Sequence, residues 1–294
     1  MPSELAASLP DWTVRSVGPN SSFSANQETP IWVDEMGSLT LSRINDHADG
    51  DYRLRLADQI AVDINFDRRL VKERMHGASV AESTRRHFLV DQVLPRILGQ
   101  NGELVLHAAA LRVNNGAVLL IGQSGSGKST LSASFDQAGY PLLGDDAVMV
   151  SWKDEFACAK AVYPSLRLFP DSIAALCLDG APSASIAHYS PKLRLDVPVR
   201  HGGEGGACRI LALFVLAAGS PSPDIGLRTK SIAAACMALV ENSFVLDPTD
   251  TARAPARLHQ ASKLAREVPA FDLSFPRAYF RLADVRAAIL QALD

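Results

Sequence analysis

One stretch constrains this chain more than any other: GAVLLIGQSGSGKSTLSASFDQAG, residues 116–139. It opens on an unbroken apolar run of the kind a strand buried on both faces requires. It closes on a helix-like segment that Gly139 can terminate. Between them Gly122, Gly127, Lys128 and Ser129 satisfy the pattern G-x-x-x-x-G-K-[ST]. Glycines let successive backbone N–H groups turn inward with no Cβ in the way. Those amides and the N-terminus of the next helix make an anion cradle. The expected phosphate-binding segment is Gly122, Gln123, Ser124, Gly125, Ser126, Gly127, Lys128, Ser129 and Thr130. Lys128 brings a full charge to the terminal phosphates, and Ser129 offers a hydroxyl to Mg2+. Thr130 also fits as an ordinary helix residue. The strand–loop–helix order predicts an α/β fold.

A cradle binds without saying what reaction follows. The segment PLLGDDAVMV places Asp145 and Asp146 17 and 18 residues after Lys128. A helix and one short strand fill that gap, so the pair is expected at the C-terminal end of the strand, close to the phosphates. A carboxylate there can hold Mg2+, take a proton from an attacking hydroxyl, or both. The alternative is a turn or strand-cap aspartate. His107, in LVLHAAAL, lies 21 residues before Lys128. Taken alone it reads either as a satisfied core histidine or as a site residue.

The chain has 294 residues, 47% of them hydrophobic and 21% charged, enough for a sizeable core. Residues 1–78 alternate apolar and polar, as in SLTLSRIN and DYRLRLADQIAVDINF, with HADG as a turn between them. This predicts a small β-rich unit, followed by a second domain over 79–294. Ser79 and Glu82 fit a capping box ahead of a helix through Gly99, which Pro95 is expected to kink. ELVLHAAALRVNNGAVLLIG reads as two strands joined at Asn114-Asn115-Gly116. A second hairpin is expected to turn at Lys153-Asp154, and CRILALFVLAAG to form another core strand. Residues 231–243 and 261–268 read as helices, and the chain closes on a strand and a helix. GAPSAS, RHGGEGGA and AAGSPSPD read as loops.

Net charge is −3 with both signs scattered, and no basic stripe marks a nucleic-acid binder. No apolar run approaches the ~20 residues of a membrane span, and the first residues lack the apolar core of a signal peptide. The expectation is a soluble, cytoplasmic protein. Cys158, Cys177, Cys208 and Cys236 form no CxxC pair and read as buried free thiols.

Taken together, a histidine, a hairpin, GQSGSGKS, a helix ending in glycine and then GDDAV resemble the catalytic domain of HPr serine kinase/phosphorylase. The likeness runs from about Glu103 to Ser151. It implies a P-loop kinase core of the HPr kinase/phosphoenolpyruvate carboxykinase type, carrying the small β-rich N-terminal unit. Residue by residue, His107, Lys128, Ser129 and Asp146 fall on the family's functional positions, with Asp145 beside them. Asp146 matches the carboxylate that serves as base. The resemblance implies ATP and Mg2+ as cofactors. It gives Ser129 and Asp145 as metal ligands, with Asp171 the nearest downstream carboxylate for a further one. Arg167 and Arg194 are the candidates for a phosphate-contacting arginine. Thr130 stands where the family usually has an acidic residue. The chain is more similar still to the short HPr kinase-like serine kinases that accompany clusters for ribosomal peptides such as lasso peptides. That implies transfer of the γ-phosphate to a serine hydroxyl of a peptide or small protein, with no nucleic-acid or membrane partner, and allows a homo-oligomer. The rival readings are a nucleotide-binding regulatory protein that transfers nothing, and a small-molecule kinase.

Overall fold

The structure is a computed structural model. It describes residues 8–17, 28–34, 37–44, 51–75, 80–163, 166–178, 180, 183–187, 190–195, 206–217 and 223–293. The chain divides into two compact units. The first comprises residues 1–97 with two returns at 187–189 and 246–249; the second comprises the remainder.

In the first unit six strands form one sheet: β1 (Thr13–Val17), β2 (Glu28–Val33), β3 (Leu39–Ile44), β4 (Tyr52–Leu56), β5 (Ile60–Asn65) and β6 (Leu70–Met75). Their order is β1-β6-β5-β4-β3-β2; only β1 and β6 run parallel. Strand periodicity sorts the residues between faces. Leu41, Leu54 and Val62 stand in register on one face, all fully buried. Ser42, Arg53 and Asp63 stand in register on the other. There Arg53 pairs with both Asp63 and Glu28, and Arg55 also pairs with Glu28. The HADG turn lies outside the described residues.

The helix expected over 79–99 is broken into α1 (Glu82–His87), a π-helical turn (Phe88–Val93) and α2 (Leu94–Gln100). Its cap is Ala81, with no side-chain hydrogen bond; Ser79 lies outside the described residues. Pro95 has no N–H to give to residue 91, and the widened turn stands just before it.

The second unit continues with β7 (Leu104–Leu106), β8 (Ala108–Val113), β9 (Gly116–Ile121), α3 (Lys128–Gln137), β10 (Leu142–Gly144), β11 (Val148–Lys153) and β12 (Phe156–Ala161). Then come β13 (Leu166–Leu168), α4 (Pro170–Ala175), β14 (Ser183–Ala187), β15 (Ser190–Leu195), β16 (Cys208–Leu216), β17 (Gly226–Thr229), α5 (Ile232–Glu241), α6 (Ala254–Glu267), β18 (Ala270–Ser274) and α7 (Leu282–Gln291). The result is a mixed α/β unit. Strand β16 is its hub: it pairs parallel with β9 and β18, and its first residues pair antiparallel with β12. The main sheet runs β10-β8-β9-β16, and β12-β11-β7 extend it from β16.

Alternate residues of β8 and β9 enter two separate cores. Ala110, Leu119 and Ile121 pack with α5 and α6 residues such as Leu239 and Leu264. Leu111, Val118 and Leu120 pack with Leu131 and Phe135 of α3 and Val285 of α7. This two-sided burial is why β9 has no polar residue, each fully buried Leu or Val contributing about 1.5–3 kcal/mol.

Four further expectations shift. The strand read over 104–113 is two strands, interrupted at His107. β7 pairs with β11 while β8 pairs with β9, so the backbone changes partner at that residue. The second hairpin turns one residue later than expected, at Asp154-Glu155, both with positive φ. Part of GAPSAS is strand β14, within a three-stranded sheet β13-β15-β14. Of the cysteines, three are buried, but Cys177 is exposed.

Candidate active site

The loop between β9 and α3 is held open by glycine. Gly122, Gly125 and Gly127 all have φ between +78° and +153°, a range closed to most side chains. Lys128, the first residue of α3, is 4% exposed. Its ammonium donates back to the carbonyls of Gly122 at 2.6 Å and Gln123 at 3.0 Å. Burial lowers its pKa; Asp145 and Asp146 act against this, and Lys192 adds to it. The loop therefore curls round its own cation.

Asp145 and Asp146 follow β10 directly, where Gly144 leaves no room for a side chain: a Cβ there would stand 2.3 Å from that of Ala161. The two carboxylates have opposite surroundings. Asp145 is 0% exposed and neither oxygen has a hydrogen-bond partner. Burial and the neighbouring charge of Asp146 push it up to about 6, with Arg167, the nearby Ser129 hydroxyl and Lys128 drawing it the other way. Asp146 sits at φ +73°, a left-handed conformation that aspartate tolerates better than most residues. Its Oδ1 lies 3.3 Å from Nε2 of His107 and its Oδ2 pairs with Arg167. Burial pushes this carboxyl up, but the Arg167 charge, the His107 hydrogen bond and Lys192 outweigh it and hold it well below the usual range. His107 is itself held below its ordinary value, chiefly by burial, with Lys128 and Lys192 reinforcing and Asp146 opposing.

These groups face one cavity of about 380 Å³. His107, Lys128, Ser129, Asp146, Arg167 and Lys192 line it, as do Ser124, Gly125, Gly127 and Thr130. Of the residues singled out in the sequence, Gly122, Gln123, Ser126 and Asp145 are not on its wall. Asp145 stands behind Asp146 in the chain, and Gly122 and Ser126 are buried within the loop. Asp171, in the first turn of α4, lines the cavity but accepts a hydrogen bond from the Tyr279 hydroxyl at 2.9 Å. The Ser172 hydroxyl lies 3.3 Å from the same Tyr279 hydroxyl and 3.1 Å from the hydroxyl of Thr130. Between the two arginine candidates, the structure puts Arg167 on Asp146; Arg194 is its cross-strand neighbour and is not on the cavity wall.

Sequence reasoning missed the segment after β18. Phe275 approaches Gly127, Arg277 donates to the carbonyl of Gly125, and Tyr279 reaches Asp171. FPRAYF carries no motif, and its residues lie about 150 positions from the loop they cover. Lys192 was missed for the same reason. Its one signal is the strand alternation of SPKLRL.

Asp145 supplies a test of whether this site fits Mg2+. A buried carboxylate with two unpartnered oxygens beside a serine hydroxyl is short of a cation. The donor set, hydroxyl and carboxylate oxygens, is the hard kind that Mg2+ takes. Among the described residues, no cluster of three or more His, Cys, Asp or Glu side chains forms an all-protein metal cage. Mg2+ that arrives with phosphates does not need one.

No protein-family model matches the chain, and no curated protein does. Among solved structures it is similar to the HPr(Ser) kinase/phosphatase from Coxiella burnetii. The two are 15% identical over 64% of this chain and 96% of that one, with a TM-score of 0.32. A likeness of that size carries no functional conclusion. No helix among the described residues is long and apolar enough to cross a membrane.

Proposed function

We propose that the chain is a kinase of the HPr kinase type that transfers the γ-phosphate of Mg-ATP to a serine hydroxyl of a peptide or small protein. The observation that carries this reading is Asp146. A carboxylate oriented by both His107 and Arg167 shares a cavity wall with the lysine and serine of a glycine-rich loop. Binding alone requires no such group.

The backbone amides of residues 122–130 would hold the phosphates, with Lys128 turning from its own loop carbonyls toward them. Ser129, with Asp145 behind it, would hold Mg2+. When bound, that ion neutralises charge on the phosphate oxygens. Asp171 is a weaker candidate ligand because Tyr279 already engages it. Asp146 would accept a hydrogen bond from the acceptor hydroxyl and aim it. The acceptor oxygen bonds to the γ-phosphorus as the bond from that phosphorus to the bridging oxygen breaks. The hydroxyl proton passes to Asp146, and ADP leaves with the electron pair. A carboxylate held as acidic as Asp146 takes that proton late, which suits a loose phosphoryl-transfer transition state. His107 and Arg167 keep it from rotating away.

The resemblance to serine kinases of ribosomal-peptide clusters supports a peptide acceptor. The β-rich residues 1–78 are proposed to recognise that acceptor and 79–294 to form the catalytic part. A chain beginning near Ser79 that kept both stability and peptide selectivity would overturn this division.

The test is transfer of label from γ-labelled ATP, with Mg2+, to serine-containing peptides and small proteins encoded nearby. Wild type, Asp146→Asn and Lys128→Ala run together, with ATP binding measured for each. The expected result is label on serine in the wild type. Asp146→Asn should lose it while still binding ATP, and Lys128→Ala should slow transfer by about 10²–10³-fold or more. Near-normal turnover in Lys128→Ala would sink the assignment.

A further inference from the structure

Lys192 has no part in the mechanism above, yet it stands on the same cavity wall as Lys128, His107, Asp146 and Arg167. It is presented by β15, whose pairing with β13 is anchored by Leu193 opposite Leu168. That register places Lys192 two residues along β15 from Arg194, on the same face of the strand as the pair Arg167–Arg194. The Lys192 ammonium lies 5.2 Å from the ring centroid of Phe169, which also lines the cavity. This contact steadies the charge without neutralising it. Among the described residues no carboxylate forms an ion pair with Lys192. The carboxylate nearest in role, Asp146, already has both oxygens engaged, one by His107 and one by Arg167.

Two lysines therefore face one cavity. Lys128 reaches it from the glycine-rich loop, and Lys192 from a different sheet. Arg167, which grips Asp146, stands opposite Arg194, two residues along β15 from Lys192, so Lys192 enters the cavity beside the Arg167–Asp146 pair. Like charges converging on one pocket repel unless an anion enters between them. The loop and Lys128 account for phosphates already bound at the glycine-rich end. Lys192 is left for charge that lies closer to Asp146, which is where the acceptor would attack.

We propose that Lys192 is the cation that contacts the phosphoryl group in transfer, stabilising it in flight more than in ATP. It would do from within the chain what an arginine finger does in other phosphotransferases. The proposal rests on the kinase reading and adds a group to it. As the phosphoryl group leaves the bridging oxygen, its three equatorial oxygens approach Asp146 and the acceptor. A cation fixed beside Asp146 interacts most strongly at that point, which is the condition for raising the rate and not merely the affinity.

The experiment compares binding of Mg-ADP alone with binding of Mg-ADP plus fluoroaluminate, a mimic of the phosphoryl group in transfer. Wild type, Lys192→Met and Lys192→Arg are titrated, each checked for an unchanged melting temperature. Lys192→Met keeps the aliphatic stem against Phe169 and removes only the charge. The expected result is that fluoroaluminate tightens ADP binding in the wild type and that Lys192→Met loses about 10²-fold of this gain. Its affinity for ADP alone should stay within about twofold, the charge lying beyond the β-phosphate. Lys192→Arg should recover most of the gain. If Lys192→Met keeps the full gain, or loses ADP affinity to the same extent, the proposal is overturned while the kinase reading stands. If the wild type binds no ADP, the kinase reading falls and takes this proposal with it.

Discussion

Asp145 and Asp146 are adjacent in the chain and opposite in circumstance. Asp146 has an ion-pair partner for each oxygen, whereas buried Asp145 has no ion pair and only the Ser129 hydroxyl beside it. An unpartnered buried carboxylate costs stability, and a chain that keeps one has a use for it. Asp145→Asn removes the charge and keeps the shape. Without metal or nucleotide the variant should be more stable than wild type by about 1–3 kcal/mol, measured by thermal melting. With ATP and acceptor it should need roughly tenfold more Mg2+ for half-maximal turnover. A variant with lower stability and unchanged Mg2+ dependence would remove Asp145 from the metal site. Nothing in GDDAV says which aspartate is which. The distinction arises because the chain takes a left-handed turn at Asp146, sending its side chain toward His107 and Arg167.

At the level of elements, the site depends on how closely β10 lies to β12. Gly144 ends β10, and a methyl group there would meet the side chain of Ala161 at 2.3 Å, far inside contact distance. Gly144→Ala is therefore expected to force the strands apart, costing about 1–3 kcal/mol. Because Asp145 and Asp146 are the next two residues, transfer should fall by more than the loss of stability explains. A drop in melting temperature with turnover intact would show that the aspartates are placed by something other than this close approach. The break at His107 is a second device of this scale. By changing partners between β7 and β8, the backbone puts the imidazole on the cavity wall instead of in a core. The alternation of LVLHAAAL is the same whether or not that break occurs, so the sequence offered no sign of it.

Over the whole molecule, the chain completes each unit with residues from far along its length. In the first unit Asp247, from the return at 246–249, pairs with Arg43 of β3 and accepts a hydrogen bond from Tyr52 at 3.2 Å. Against the upward push of burial, Thr249 and Arg43 hold Asp247 below the usual carboxylate range. Arg55 and Arg53 do the same for Glu28. A carboxyl with a depressed folded pKa contributes stability above its unfolded value of about 4 and loses it as pH falls through the folded value. This unit is therefore expected to unfold in acid at a pH below 4. Arg43→Met should move that transition to higher pH and cost about 1–3 kcal/mol at neutral pH. Circular dichroism during acid titration would report both, and an unmoved midpoint would mean that the return contributes no such pairing.

By itself the sequence determined the glycine-rich loop, the apolar strand before it, the helix after it and the aspartate pair one strand later. Each depends on neighbours within a few residues: glycine at positive φ, strand alternation, a lysine opening a helix. The tertiary structure alone decided that Arg167 grips Asp146, that Tyr279 engages Asp171, that Arg277 and Phe275 close over the loop, and that Lys192 faces the same cavity. Those side chains come from separate strands and turns 21 to about 150 residues away from the groups they meet. Convergence of that kind leaves no period in the chain, because it is set by how sheets and helices pack and not by the local backbone.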